Sequence, residues 1–319
     1  MVLPYLHRSF PALSALTPVH TALALELRRD IEVLATDIGP RGTFAPQRYR
    51  LAEEFLTAAL VRAGYSVQRQ AFEAKGVRCA NLEAAVPGTD PRAQIVVVGA
   101  HYDSVQGCPA ANDNASGVAG VLAIGRALRG KPGRGTVRFV LFANEEPPFF
   151  NLGEMGSQLY AKKCRDAGDD IAGMVCLETI GYYSDRRGSQ QWPAAVLGLI
   201  LPSVGDFVAM VGPASAKRWI QRAAALFERE QGFPMIAAAA PATIDQINWS
   251  DHRGFNEAGY PAFMVTDTAP LRYPHYHLPS DTPEKLDYDS MARVVHVLTA
   301  MVAGLADGNE VRANPRGHA

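Results

Sequence analysis

The chain has no C-x-x-C pair. Its four cysteines, Cys79, Cys108, Cys164 and Cys176, are scattered, so neither a zinc ribbon nor a disulfide scaffold is indicated, and a reducing compartment fits. There is no surplus charge of either sign: 31 Lys and Arg stand against 32 Asp and Glu, a formal net charge of −1. That removes the electrostatic footprint of a general nucleic-acid or anionic-membrane binder. A long unbroken apolar run is also missing. The longest, residues 194–212, is interrupted by Pro202 and Asp206 and thinned by Gly198, Gly205 and Gly212. It falls short of the about 20 apolar residues that a membrane-spanning helix needs and reads as a loop feeding a buried strand. Residues 1–16 contain Pro4, His7, Arg8 and Pro11 without a continuous apolar core or a small-residue cleavage site. No secretory leader is expected, and a cytoplasmic location is.

What is present is ordinary globular composition. Of 319 residues, 48% are hydrophobic and 20% charged, which excludes wholesale disorder and suffices for a large core. Amphipathic patterns predict helices over 20–36 and 49–63. Val-rich or apolar runs predict buried strands at 94–100, 136–143, 174–178, 206–211 and 261–266. Helices are expected between and after them at 115–128, 155–167, 215–229 and 290–305. Segments 66–72 and 81–86 read as a strand pair that adds an antiparallel edge. Gly130-Lys131-Pro132-Gly133-Arg134-Gly135 lacks the Gly-Lys-Ser/Thr order and precedes a strand, so it is a turn and not a phosphate loop. Strands alternating with helices imply an α/β domain of three layers, with a mixed, largely parallel central sheet flanked by helices. No repeat or linker divides the chain, so 1–306 reads as one domain and 307–319 as a polar, disordered tail.

Ligands in such sheets bind outside the carboxyl ends of the strands. There the sequence places His101-Tyr102-Asp103, then Asn144-Glu145-Glu146, Glu178 and the loop His275-Tyr276-His277, with Asp113 in the turn before the helix at 115. Two imidazoles and several carboxylates on one rim suit zinc or another borderline divalent metal. There are enough ligands for two ions if Asp113 bridges them at the usual separation of about 3.5–4 Å. Asp113 is also a good helix N-cap. Adjacent strand residues point to opposite faces, so Glu145 and Glu146 reach one site only if the chain leaves strand geometry, which Pro147-Pro148 enforces. One of them can then ligate metal while the other stays free as a general base, in surroundings dried by Phe149 and Phe150. Asp103 is placed to accept the second ring N–H of His101.

These segments resemble peptidase family M28. The matching runs are Gly99-Ala100-His101-Tyr102-Asp103-Ser104, Asn112-Asp113-Asn114-Ala115-Ser116-Gly117-Val118, Phe142-Ala143-Asn144-Glu145-Glu146, Leu177-Glu178-Thr179-Ile180-Gly181, Ser250-Asp251-His252 and Tyr276-His277-Leu278-Pro279-Ser280-Asp281-Thr282. They occur in the family's order and span most of the chain. The resemblance implies a zinc-peptidase (phosphorylase/hydrolase-like) fold binding two zinc ions. It implies that Asp113 bridges, that Glu146 and His277 complete one site, and that His101 and Glu178 complete the other. Glu145 becomes the general base, Asp103 orients His101, and Tyr276 stabilises the oxyanion. Position 178 is Asp in many members and Glu here. The implied activity is aminopeptidase-like hydrolysis of a peptide or aminoacyl substrate, with no nucleic-acid or membrane partner. The alternatives are a glutaminyl-peptide cyclotransferase, whose members tend to carry Trp where this chain has Tyr276, and a binding domain of the same fold without metals.

Other candidates are weaker. Ser250-Asp251-His252 tempts a serine-protease reading, but consecutive side chains rarely form a triad; Asp251 is placed behind the metal ligands instead. Asp281 is expected to anchor the loop carrying His277, and His275 to lie at the surface or behind the ligands. Cys108 reads as a buried thiol or a reactive one, and Tyr182-Tyr183 as pocket lining or core. Arg272 is a candidate partner for a substrate carboxylate, which would signal a carboxypeptidase or dipeptidase. Oligomeric state is not legible.

Overall fold

The computed structural model describes residues 3–150, 152–193, 196–241 and 244–308. Nine strands are found among these residues: β1 (Tyr5–Ser9), β2 (Gln68–Ala74), β3 (Val77–Val86), β4 (Ile95–His101), β5 (Val137–Phe142), β6 (Ile171–Leu177), β7 (Val208–Pro213), β8 (Met235–Ala240) and β9 (Ala262–Thr266). They form a single sheet in the order β1-β8-β7-β9-β6-β4-β5-β3-β2. Its centre, β9-β6-β4-β5, is parallel. Antiparallel pairing occurs where β7 meets β9 and at both edges, with β2 and β3 on one side and β1 on the other.

The α-helices are α1 (Pro18–Glu32), α2 (Pro46–Arg62), α3 (Gly117–Leu128), α4 (Gly156–Ala167), α5 (Lys217–Glu230), α6 (His252–Glu257), α7 (Ala269–Arg272) and α8 (Tyr288–Ala306). They cover both faces, as the sequence of β4 requires. Ile95-Val96-Val97-Val98 alternates between two cores: Val96 and Val98 face the cluster under α1, α3, α5 and α8, while Val97 faces the one under α4 and α6. A strand buried on both sides has no polar face to show. The three-layer architecture expected from the sequence is therefore present.

Two strands escape the sequence reading. β8 is Met-Ile-Ala-Ala-Ala-Ala, poor in the β-branched and aromatic residues that signal strands; it is a strand because β7 and β1 pair with it. β1 is five residues at a sheet edge, held by that pairing. Residues 208–212 of the long apolar run lie in β7, where the sequence predicts a strand at 206–211; positions 194 and 195 of that run lie outside the described residues. Of the expected polar tail, Asp307 and Gly308 form a turn and the rest lies outside the described residues.

The start of α3 positions the site. The expected helix at 115 is preceded by a single π-type turn, Ala111–Ser116, in which Asp113 and Asn114 leave helical geometry and the peptide between them is cis. Gly117 opens α3 against the end of β6. A Cβ there would collide with the Leu177 carbonyl and the Asn114 side chain, so only glycine lets the Asp113 turn approach the β6 terminus this closely.

Candidate metal centre

The carboxyl ends of β4, β5, β6 and β9 converge. His101 closes β4 and is 1% exposed. Its Nε2 lies 3.3 Å from Asp113 Oδ1, 3.2 Å from Glu178 Oε2 and 3.9 Å from Glu145 Oε2. His277, in the loop after α7, brings its Nε2 to 3.0 Å from Asp113 Oδ2 and 3.5 Å from Glu146 Oε2. Two donor groups result, His101-Asp113-Glu178 and Asp113-Glu146-His277, each with its ligand atoms within 4.8 Å of one another. Asp113 belongs to both and turns one oxygen to each histidine. His101, Glu145 and Glu146 form a third such grouping.

Backbone geometry delivers these side chains. The chain leaves β5 at Asn144, whose φ is 59°. The departure therefore comes before Pro147-Pro148, a correction to the sequence expectation, and Asn is among the residues that tolerate the left-handed region best. Ala110, Thr179 and His277 also have positive φ. Such positions cost roughly 1–3 kcal/mol each and persist only where surrounding contacts impose them.

Those contacts are on hand. The Asp103 carboxylate accepts the Glu145 and Glu146 backbone N–H groups at 3.0 and 3.1 Å. It also lies 3.4 Å from His101 Nδ1, but without hydrogen-bond alignment. Asn114 donates to the Leu177 carbonyl and to Glu178 Oε2, and accepts the N–H groups of Gly117 and Thr179. The Ser250 hydroxyl donates to Glu178 Oε2 at 2.6 Å. Asp281 accepts the Asn112 and Asp113 N–H groups and the Tyr273 hydroxyl, so it anchors the Asp113 turn as well as its own loop. Asp267 holds the Asn112 side chain and the Tyr182 amide.

Arg41 and Asp267 are not singled out from the sequence. Asn114 and Ser250 enter it only within the runs around Asp113 and Asp251, Ser250 as a member of the tempting Ser-Asp-His run, and neither is assigned a role beside Glu178. Arg41, fully buried, donates to five backbone carbonyls, those of Leu34, Gly39, Tyr102, Pro109 and Ala110. Nothing local in Pro40-Arg41-Gly42 announces that role.

The electrostatics of the donor set is that of a cation site. Burial pushes Glu145 and Glu146 well above the usual carboxylate range, and neighbouring acids add to it. Burial also raises Glu178. It would lower His101, but Glu178, Asp103, Asp113 and Glu145 outweigh it and hold the imidazole high. Asp113 is lowered: burial opposes ionisation, and His101 and His277 overcome it. Glu146 Oε1 and both oxygens of Asp251 are buried without a hydrogen-bond partner. Confining so many carboxylates in a dry site is costly unless positive charge compensates. The buried Arg41 is committed to carbonyls. A divalent cation coordinated by imidazole and carboxylate compensates the charge and can take the orphaned Glu146 oxygen, so the donor set fits a metal.

The remaining candidates separate. Tyr276 stacks on His277 with ring centroids 3.8 Å apart, and burial and the nearby acids push its phenol upward. Burial raises Asp251 to about 7, with His101 opposing. His275 pairs with Ser280 and joins none of the donor groups. Cys108 is buried, its thiol bonded to the Leu278 carbonyl and pushed to about 12 by burial, which leaves it unreactive. Tyr182 packs on Tyr273 and Tyr183 on Phe233, so this pair is core. Arg272 is buried, bonded to Gln190 and to the Phe207 and Tyr182 carbonyls. It is structural, and the carboxypeptidase hint it carried falls.

Ser250-Asp251-His252 is not a triad. Ser250 faces Glu178, while His252 Nε2 donates to the Ile247 carbonyl at 2.5 Å and Nδ1 is buried without a partner. Burial therefore lowers His252 from 6.5 to about 4. Between those values the unfolded chain binds a proton that the folded chain refuses. Stability from His252 is complete above pH 6.5 and is lost as pH falls towards 4. At pH 5 the loss is about 2 kcal/mol. In urea titrations of metal-free protein at pH 7 and pH 5, wild type loses that much more than His252→Gln; equal losses would show that His252 is not held neutral.

Comparison with known proteins gives the family and the fold. The chain matches the profile of peptidase family M28 over residues 81–302. It is 33% identical over 287 residues to the uncharacterized protein YfbL of Escherichia coli K12, covering 88% of this chain and 87% of that protein. It is 27% identical over 286 residues to leucine aminopeptidase 1 of Arthroderma otae, covering 83% and 69%. Among solved structures, the zinc aminopeptidase BSAP of Bacillus subtilis superposes with a TM-score of 0.71 at 16% identity, over 91% of this chain and 97% of that one. The glutaminyl cyclase of Fimbriiglobus ruber does so with 0.61 at 23% identity, over 92% and 97%. With a profile match over residues 81–302 and the His, Asp and Glu side chains of that span gathered at the strand ends, the chain belongs to peptidase family M28.

Proposed function

We propose that the chain is an aminopeptidase that works with two zinc ions. One observation carries this: two donor triplets, His101-Asp113-Glu178 and Asp113-Glu146-His277, share a single carboxylate. His101 and Glu178 would hold one ion, Glu146 and His277 the other, and Asp113 is the carboxylate available to both. Zinc bound there supplies Lewis acidity, polarising the scissile carbonyl and making water more acidic.

The protein's own groups do the rest. Glu145, buried and 3.9 Å from His101, takes a proton from the attacking water and returns it to the leaving amine. Asp103 fixes Glu145 and Glu146 relative to each other through their amides. Ser250 and Asn114 orient Glu178, whose length is thereby accommodated at the site. Asp251 lies behind His101, whose charge favours its ionised form against burial. The Tyr276 hydroxyl donates to the oxygen that gains charge as the carbonyl becomes tetrahedral.

The test is an assay of metal-stripped and zinc-reloaded protein on aminoacyl anilides and on N-terminal glutaminyl peptides. Zinc-dependent release of the amino acid, with two zinc per chain, is the expected result. Pyroglutamate formation without amino-acid release would favour the cyclotransferase, and less than one bound zinc would favour a binding domain.

A further inference from the structure

The sheet stops serving β5 before the chain reaches the two glutamates. The last ladder pair sets Phe142 opposite His101, and the Phe142 carbonyl accepts the Tyr102 N–H at 2.9 Å. The next four residues, Ala143, Asn144, Glu145 and Glu146, are all buried, so their backbone N–H groups need partners. Each finds a side chain. Asn81 of β3 accepts from Ala143 at 3.0 Å, Tyr49 of α2 accepts from Asn144 at 3.0 Å, and Asp103 accepts from Glu145 and Glu146. Amides held by side chains are released from strand register. These three residues therefore set the direction in which the chain leaves β5.

Tyr49 holds the bend itself. Its hydroxyl accepts the Asn144 N–H and donates to Asn144 Oδ1 at 2.9 Å, closing a ring on the residue whose φ is 59°. Among the described residues, neither Asn144 atom has another hydrogen-bond partner. Asparagine tolerates this region better than most residues, but it is not the default conformation, so contacts must impose it. Tyr49 is itself fixed. It is 3% exposed, near the start of α2, with its ring 5.1 Å from that of Tyr102, and Tyr102 donates its own hydroxyl to the Ala80 carbonyl. Burial pushes the Tyr49 phenol upward, so it keeps the proton it donates. The left-handed turn at Asn144 cancels the alternation of a strand and lets Glu145 and Glu146 join one grouping with His101.

We propose that Tyr49 is a positioning residue for the hydrolytic site: by clamping Asn144 in the left-handed conformation, its hydroxyl fixes Glu145 as the free base and Glu146 as a ligand beside Asp113 and His277. The inference rests on the aminopeptidase reading for those two roles. Tyr49 makes no hydrogen bond to either glutamate and acts through Asn144. It lies outside the span 81–302 that matches the family profile, on a helix that supplies no donor to the three groupings. Asn81 secures the residue before the bend and Asp103 the two after it, so removing Tyr49's oxygen loosens the bend and leaves both flanks tied.

The experiment compares Tyr49→Phe with wild type. Each protein is stripped of metal, titrated with zinc against a competing chelator, and assayed on leucyl anilide. Misplacing a reacting group by about 1 Å can cost about 10²-fold, and losing an outer partner of a metal site costs about 10–100-fold in affinity. The expected result is a kcat at least about ten-fold lower with KM within about two-fold, and one zinc ion bound at least about ten-fold more weakly while the other keeps its affinity. A tyrosine that only supports the fold would lower the melting temperature and leave kcat and both zinc affinities at wild-type values, and that outcome overturns the proposal. Should Tyr49→Phe not fold, Asn144→Ala removes the other end of the same pair and must give the same signature; wild-type kcat and zinc affinities there overturn the proposal equally. The titration needs no turnover. Weakening of one zinc ion alone, in a protein that hydrolyses no aminoacyl substrate, overturns the aminopeptidase reading and leaves the Tyr49 clamp standing. Undiminished hydrolysis by Tyr49→Phe overturns the clamp and leaves the aminopeptidase reading standing.

Discussion

In Glu145→Gln protein, kcat falls by two or more orders of magnitude while zinc content, melting temperature and KM stay close to wild type. The amide is the same size as the carboxylate and keeps an oxygen, but it cannot take a proton. A positioned general base contributes typically about 10²–10⁴-fold, and Glu145 is placed for that role. It is buried, it is outside both triplets that share Asp113, and its backbone is held by Asp103. Steady-state kinetics with metal analysis on the same preparation decides the matter. Turnover within a few-fold of wild type would remove Glu145 from the mechanism. Loss of zinc along with activity would make it a ligand, as its grouping with His101 and Glu146 permits.

The second large effect is expected at Asp113. Asp113→Asn removes one charge and one good ligand oxygen while preserving shape. Because Asp113 stands in both triplets, both zinc sites weaken together. Losing an outer-sphere partner of a metal site typically costs about 10–100-fold in affinity, so losing a shared inner ligand should exceed about 100-fold. Competitive zinc titration should show stoichiometry below one per chain under conditions where wild type binds two, with peptidase activity lost in parallel. Glu146→Gln is the control, since it belongs to one of those two triplets and should weaken one ion more than the other. An Asp113→Asn protein that binds two zinc ions with wild-type affinity would show that the carboxylate is not shared.

The legible parts of this protein are those whose physics is local. A strand covered on both faces must be apolar throughout, so β4, β5 and β6 declare themselves by composition. The residue after such a strand is where polar chemistry can first appear, so His101, Glu145, Glu146 and Glu178 could be ordered along one rim. The parts that stayed hidden depend on partners distant in sequence. β8 is a strand because β1 and β7 pair with it, in spite of its alanines. Asp281 proved to hold the Asp113 turn, 168 residues away. Arg41 serves carbonyls from three separate segments. The bend that frees Glu145 and Glu146 comes from the left-handed Asn144, where the prolines after it had seemed the cause.

By itself the sequence determined the chemical types available and the order in which strands deliver them, because side-chain identity and strand periodicity are properties of short segments. Only the tertiary structure decided which oxygen faces which imidazole, that Asp113 turns one to each histidine, and that alanines on one face of β7 and β8 leave a cavity beside them. Those depend on register between strands and on turns clamped by remote side chains, and register follows from the summed packing of the whole sheet rather than from any one run of residues.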